Sequence, residues 1–125
     1  MPHLVFNGEM DLRGVGKGFR VEVHRWGTAV LKIESVWWRT DEKALLVEGV
    51  VVEHSRAVHP VAVAAIARGT TSVRLWSRAP VERTPAVQRW LAVVAGELQG
   101  QSGRLLRTTN IAEEILEGLD LTFNA

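Results

Sequence analysis

The sequence has no cysteine, no tyrosine and no apolar run long enough to cross a bilayer. Without cysteine the chain forms no disulfide and carries no thiol nucleophile, which fits a reducing compartment. Met1 to Leu4 show no basic segment followed by an apolar stretch, so we expect no signal peptide. These absences together predict a cytoplasmic protein without membrane contact.

A large charge of one sign is also lacking, because the formal net charge is only +1. A value this small argues against a dedicated binder of polyanions. The 125 residues are 46% hydrophobic and 23% charged, which is typical of an ordinary globular protein. Length and composition therefore predict a single α+β domain over 1–125 with one hydrophobic core.

Alternation of apolar and polar residues predicts an antiparallel meander of three strands over 19–54. A three-residue loop at 25–27, with Gly27 left-handed, would join the first two strands. A turn at 40–43 would join the next two and would place Trp37 opposite Leu46. These registers predict one inner apolar face made of Phe19, Val21, Val23, Leu31, Ile33, Trp37, Leu46, Val50 and Val52.

The clearest helix is predicted over 84–99. Thr84 can cap its first turn, and Pro85 suits a first helical position. Its apolar residues recur at helical spacing and form one stripe: Val87, Trp90, Leu91, Val94 and Leu98. We therefore predict an antiparallel meander sheet of four to six strands, with this long amphipathic helix on one face and a short C-terminal helix.

Short strands are also predicted over 4–6 and 73–77, where apolar residues alternate or cluster before turn residues. The segment 58–69 fits either a strand or a short helix. We favour a helix, because Pro60 suits a first turn, alanine is the best helix former and Gly69 suits the C-terminal cap.

The glycine-rich segment 14–18 is superficially similar to a phosphate-binding loop. Its glycines do not have the P-loop spacing and a strand follows it, so we expect a flexible connector. Near the C-terminus, Asn110 followed by Glu113 predicts a short acidic helix over 111–117 that ends at Gly118. The last apolar residues, over 119–123, fit a final strand or an arm laid on another surface.

Glu48 is a weak candidate for a catalytic residue. The predicted register directs it into the apolar face opposite Ser35, where a carboxylate must be paired, hydrogen-bonded or protonated. A desolvated carboxylate in a pocket can act as a general base. The alternative is a glutamate at the edge of the sheet that pairs with an arginine, and we favour it because no second catalytic group accompanies Glu48.

The four histidines suggest a metal site. His54 and His59 lie close together in sequence, near Glu53, but their spacing is not that of a known ligand motif. On the predicted register His24 and His54 point to opposite faces of the sheet. We therefore predict no metal ion and no cofactor.

An apolar patch is predicted on the outer face of the meander, away from the long helix. It consists of Val36, Trp38, Leu45 and Val47. Such a patch is seldom left bare in water, so the C-terminal segment, a second copy of the chain or a ligand should cover it. We favour a symmetric dimer, because tryptophan and arginine are enriched at interfaces and two-fold homodimers are common.

Tryptophans next to arginines suggest a second function. Trp26, Arg74, Trp76 and Arg78 could join Trp38 in stacking the bases of a single-stranded nucleic acid while the arginines follow its phosphates. The sequence thus predicts a non-enzymatic binding or assembly module that is homodimeric through its outer sheet face. A single-stranded nucleic-acid binder is the first alternative, and a small-molecule enzyme built around Glu48 is the second.

Overall fold

The computed structural model describes residues 1–124. The elements follow one another as β1 (His3–Asn7), α1 (Leu12–Lys17), β2 (Val23–Trp26), β3 (Ala29–Trp38), β4 (Ala44–Glu53), β5 (Arg56–Val58), β6 (Val61–Ala67), β7 (Thr70–Leu75), α2 (Pro85–Ser102), β8 (Leu106–Thr109) and α3 (Glu113–Leu116). All neighbouring strands are antiparallel, in the order β2-β3-β4-β6-β7-β1-β8, and β5 pairs with β4 beside this path. The α+β class with an antiparallel sheet is confirmed, but the sheet has eight strands instead of four to six.

The long helix α2 covers one face of the curled sheet, as its apolar stripe predicts. The Thr84 side chain accepts a hydrogen bond from the Val87 N–H at 3.2 Å, and Pro85 occupies the first turn. The helix continues to Ser102, three residues beyond the predicted end at Gln99. The helix ends at Gly103, where φ is +70°, a conformation that glycine adopts without steric cost.

A β-bulge divides β3 and changes which residues of the meander face α2. Ile33 pairs with Gly49 while Ser35 pairs with Glu48, so Glu34 is the extra residue. The predicted pairing of Trp37 with Leu46 is confirmed. On the far side of the bulge, however, Ile33 does not pair with Val50 as predicted, because the extra residue shifts the register by one.

The bulge, together with a shorter loop between β2 and β3, reverses most of the predicted inner face. The inner residues of β4 are Leu45, Val47 and Val51, each at most 2% exposed. From the predicted inner set, Leu31 and Ile33 are buried and Phe19 packs against the core. The other six lie on the outer side of the sheet or are exposed: Val21, Val23, Trp37, Leu46, Val50 and Val52.

The turn between β2 and β3 also differs from the prediction. Trp26 pairs with Ala29 across the two residues Gly27 and Thr28, so the loop is one residue shorter than we expected. Gly27 is left-handed, with φ of +59°, as predicted. The shorter loop turns Trp26 toward the core, where it is half-buried, and leaves Val23 on the outer side.

The segment predicted as a helix over 58–69 contains strand β6, which lies between β4 and β7. Ala62 and Ala64 are at most 1% exposed on its inner side. Pairing on both edges satisfies the backbone groups of this segment, and its burial in the sheet overrides the helix propensity of alanine. The helix prediction for this segment is therefore wrong.

Two glycine-containing segments near the chain ends have defined roles. The segment 14–18, expected to be a connector, supplies the last four residues of α1 and its C-cap, Gly18; the Asp11 side chain caps the first turn. The short acidic helix exists as α3, but Asn110 does not cap it. Its amide bonds the backbone of Met1 and His3 instead, at 2.8 and 2.9 Å.

Candidate interaction surface

The predicted outer patch is not on the outer face. Leu45 and Val47 are fully buried against the helical layer, and Val36 packs against the same core. The pairs Val36–Val47 and Trp38–Leu45 follow the predicted register. The bulge puts them on the same side of the sheet as Leu31 and Ile33, which is the inner side. These residues therefore contribute to folding, and the outer-face assignment is wrong for all of them.

Trp38 lies against α1. Its indole Nε1 donates a hydrogen bond to the Leu12 carbonyl at 3.1 Å, and its ring occupies the space next to Gly16. A Cβ atom on Gly16 would lie 2.8 Å from Trp38 Cζ2, so only glycine allows this approach. The helix α1 thus covers part of Trp38 on the inner side of the sheet, and the residue remains 41% exposed.

The remaining tryptophans point in different directions. Trp26 lies 5.6 Å beneath the Arg89 guanidinium, which donates hydrogen bonds to the carbonyls of Ile115 and Glu117. Burial lowers the pKa of Arg89, and these carbonyls replace the water it loses. Trp76 is half-buried just beyond β7, beside Met1. The candidate stacking residues are therefore not assembled into one platform.

The arginines of the predicted site are also separated. Arg74 is exposed on the outer side of β7, between Val63 and His3 in the neighbouring strands. Arg78 lies in the exposed loop that follows β7. The structure therefore brings Arg74 onto the outer face of the sheet and leaves Arg78 at its end.

Glu48 pairs with Ser35, as predicted, but on the outer side of the sheet, where it is exposed. Its Oε1 accepts hydrogen bonds from the Ser35 hydroxyl, at 2.8 Å, and from the Trp37 indole. A carboxylate in open solvent with its oxygen already bonded lacks the desolvation that a general base requires. The prediction that Glu48 points into the apolar face is wrong.

Titratable groups converge at one place that the sequence did not indicate. Glu22, His24, Glu97 and Asp120 line a cavity of about 170 Å³ between β2 and α2. His24 Nε2 lies 2.7 Å from Glu22 Oε2, and Arg20 Nε lies 3.1 Å from Glu22 Oε1. No group of three histidine, cysteine, aspartate or glutamate residues within 1–124 is arranged to hold a metal ion.

Large apolar side chains are exposed on the outer side of β2, β3 and β4. Their exposed fractions are 60% for Val23, 59% for Trp37 and 37% for Val52, and Val21, just before β2, reaches 66%. We call these four residues the outer apolar surface. Sequence reasoning missed it because the same residues were assigned to the core.

The two edge strands of the sheet, β8 and β2, differ in whether another segment covers their outer side. At the β8 edge, Leu106 donates a hydrogen bond to the Thr122 carbonyl at 2.9 Å, and Asn124 donates to Leu106 at 2.8 Å. The C-terminal segment thus lies along β8, with one isolated bridge between Leu106 and Phe123; the prediction for 119–123 was a final strand or an arm laid on another surface. At the other edge, β2 has β3 as its only neighbour among residues 1–124.

Comparisons with protein-family models, with curated proteins and with solved structures found no match. Among the residues that the structure describes, no helix has the length and apolar character needed to cross a membrane. The functional argument therefore depends on the surfaces of this chain alone.

Proposed function

We propose that the protein is a non-enzymatic assembly module that binds a second copy of itself at the part of the sheet that carries the outer apolar surface. The observation that supports this most strongly is the exposure of Val21, Val23, Trp37 and Val52 on one side of three adjoining strands. Apolar side chains exposed on the same side of a sheet are one mark of an interaction site, and here Lys32 and Glu48 lie between them on that side. The helices cover only the opposite side of the sheet.

A second copy is the partner that the charges favour. The net charge of +1 gives two copies little mutual repulsion, and the charges near the surface are of both signs. Lys32 and Glu34, which flank the bulge, lie 3.6 Å apart and neutralise each other. A surface with little net charge can face its own copy across a two-fold axis without like-charge repulsion.

The two alternatives receive less support from the geometry. A nucleic-acid binder needs aromatic rings and cationic groups along one groove, whereas Trp37 and Trp38 face opposite sides and Arg89 is engaged with carbonyl oxygens. The enzyme hypothesis needs Glu48 in a pocket, and Glu48 is exposed. Self-association requires only exposed apolar residues on one side of the sheet, and the outer apolar surface provides them.

The test is the mass in solution, measured by light scattering over a range of concentrations. We expect the wild type to approach two chains of 13.8 kDa as concentration rises. The triple variant Val23→Glu/Trp37→Glu/Val52→Glu should remain a single chain, since it places a charge on each strand of the surface. A wild type that stays monomeric up to millimolar concentration would refute the proposal.

A matched control places a charge on an apolar residue elsewhere. Leu105 is 38% exposed, nearly the same as Val52, but it precedes β8 at the opposite edge of the sheet. Leu105→Glu should leave the mass unchanged. If Leu105→Glu dissociated the dimer and the triple variant did not, the contact would lie at the wrong edge and the proposal would fail.

A further inference from the structure

We propose that the two copies meet at strand β2, which pairs with β2 of the second copy in antiparallel orientation about a two-fold axis at Val23. This inference rests on the proposed self-association and specifies how it occurs. The resulting sheet would run without interruption from one copy into the other. The strand that pairs with the open edge is thus β2 of a second copy of the chain.

The hydrogen-bond pattern of β2 leaves one set of backbone groups free. Ile33 N–H donates to the Glu22 carbonyl at 3.0 Å, so the ladder with β3 extends to Glu22. In an antiparallel ladder, residues bonded to the neighbour alternate with residues whose N–H and C=O groups point away. Val21, Val23 and Arg25 therefore direct their backbone groups toward the open edge.

This edge lacks two of the three devices that commonly guard natural edge strands, which are a proline, a bulge and an inward-pointing charge. It has the third in Glu22, which faces the cavity between β2 and α2. The stretch from Val21 to Trp26 contains no proline and pairs with β3 without a bulge, and its two valines are 66% and 60% exposed. The β8 edge, in contrast, is covered by the C-terminal segment of the same chain.

Charge selects the position of the two-fold axis. An axis at Glu22 would place Glu22 opposite its own copy, and an axis at Arg25 would do the same with two arginines, which is destabilising. An axis at His24 would place two histidines opposite each other. An axis at Val23 instead places Glu22 opposite His24 of the second copy, at both ends of the pair.

An axis at Val21 also avoids like charges, but the backbone does not allow it. That register would pair Val23 with Phe19 of the second copy. The Phe19 N–H already donates to the Gly16 carbonyl at 3.2 Å, in the turn that follows α1. With the axis at Val23, the outward-pointing residues pair only with one another: Val23 with Val23, and Val21 with Arg25.

The absence of cysteine makes this register directly testable by cross-linking. Residues that exchange both backbone hydrogen bonds across an antiparallel pair have Cα atoms about 5.5 Å apart, within the range of roughly 4.4–6.8 Å that a disulfide spans. Val23→Cys should therefore form a disulfide-linked dimer under mild oxidation. The link should appear at a concentration where the wild type is dimeric.

Val21→Cys is the matched control, because Val21 and Val23 have similar exposure. On the proposed axis the two copies of residue 21 lie four positions out of register, about 13 Å apart along the strand at roughly 3.3 Å per residue. We expect cross-linking of Val21→Cys to be at least tenfold slower than that of Val23→Cys. Equal rates, or a faster reaction at residue 21, would overturn the register.

Two further variants separate edge pairing from any other use of the outer apolar surface. Val23→Pro removes an N–H that points away from β3, so the fold should survive, as judged by its circular dichroism, while the dimer is lost. Trp37→Glu changes the surface away from the edge and should leave the dimer intact. If Val23→Pro remained dimeric and Trp37→Glu became monomeric, edge pairing would be wrong and self-association would stand.

Should the wild type itself prove monomeric, the proposed function and the β2 pairing would fail together. Should Val23→Pro lose its circular dichroism signal, Val23→Lys replaces it. A lysine at that position keeps the backbone donors and is accommodated on an exposed strand, but it places two cations against each other at the axis. A dimer as tight as the wild type in Val23→Lys would contradict the proposed axis.

Discussion

Gly49 is the residue whose substitution tests the described core most sharply. It lies in β4 opposite Ile33, beside the bulge, and the Trp90 indole of α2 passes directly over it. The Trp90 Nε1 donates a hydrogen bond to the Lys32 carbonyl at 2.9 Å, and the ring is fully buried. A Cβ on Gly49 would lie 2.7 Å from Trp90 Cε2 and even closer to the Lys32 carbonyl oxygen.

The expected cost of Gly49→Ala is worked from these contacts. Forcing an extra carbon into a packed core costs about 1–3 kcal/mol. Moving the indole away from the Lys32 carbonyl leaves a buried polar group without its partner, which costs about 1–3 kcal/mol more. Replacing glycine in a strand interior returns roughly 0.5–1 kcal/mol of chain entropy. The net expectation is a loss of about 2–4 kcal/mol in the free energy of unfolding.

The assay is equilibrium unfolding in urea, followed by tryptophan fluorescence. The matched control is Gly100→Ala, the same chemical change at an exposed position of α2 where a new Cβ would meet nothing within 4 Å. Gly100→Ala should stabilise the protein by about 0.5–1 kcal/mol, because glycine is a poor helix residue. If Gly49→Ala were as stable as the wild type, the described contact between Trp90 and β4 would be incorrect.

Two further predictions concern Trp38 and Asp41. Because Trp38 is 41% exposed, Trp38→Ala should lower the free energy of unfolding by about 1–3 kcal/mol, less than the loss of a fully buried tryptophan, and should leave the solution mass unchanged. A shift toward monomer would show that Trp38 belongs to the interface. The hydrogen bond from Arg39, followed by that from the Lys43 N–H, lowers the pKa of Asp41 from 3.8 to about 2. Because the folded-state pKa is the lower one, the stabilisation is complete above about pH 4 and is lost as the pH falls through 2. An NMR titration of the Asp41 carboxyl should therefore have its midpoint near pH 2, and Arg39→Gln should raise that midpoint toward 3.8; a wild-type midpoint at 3.8 would contradict the pairing.

The features that the sequence predicted correctly depend on local signals. Thr84 and Pro85 mark the start of α2, and the stripe that includes Trp90 is buried on the sheet. The turn at 40–43 places Trp37 opposite Leu46 because a short loop fixes the pairing of the residues next to it. Capping, helical periodicity and turn geometry each act over a few residues, so they can be read without the tertiary structure.

The candidate surface could not be predicted from the sequence. It depends on whether the odd-numbered or the even-numbered residues of β4 face the core, and local signals do not determine this. Both faces of the meander carry apolar residues, so alternation alone gives two equivalent assignments for β4. Gly49 is the residue that decides between them. Only a position without a side chain can lie beneath the Trp90 indole, and that places Leu45, Val47 and Val51 on the same side.

The sequence by itself determined the α+β class, the long helix with both its cap and its apolar stripe, and the hairpin at 40–43. Only the tertiary structure decided which side of that hairpin is buried, since one extra residue at Glu34 exchanges the two faces of every position beyond it. Trp37 and Trp38 are adjacent, and alternation requires that they face opposite sides. The packing of α1 on Trp38 and of α2 on Gly49 places Trp37 in solvent, where it forms part of the surface proposed for a second copy.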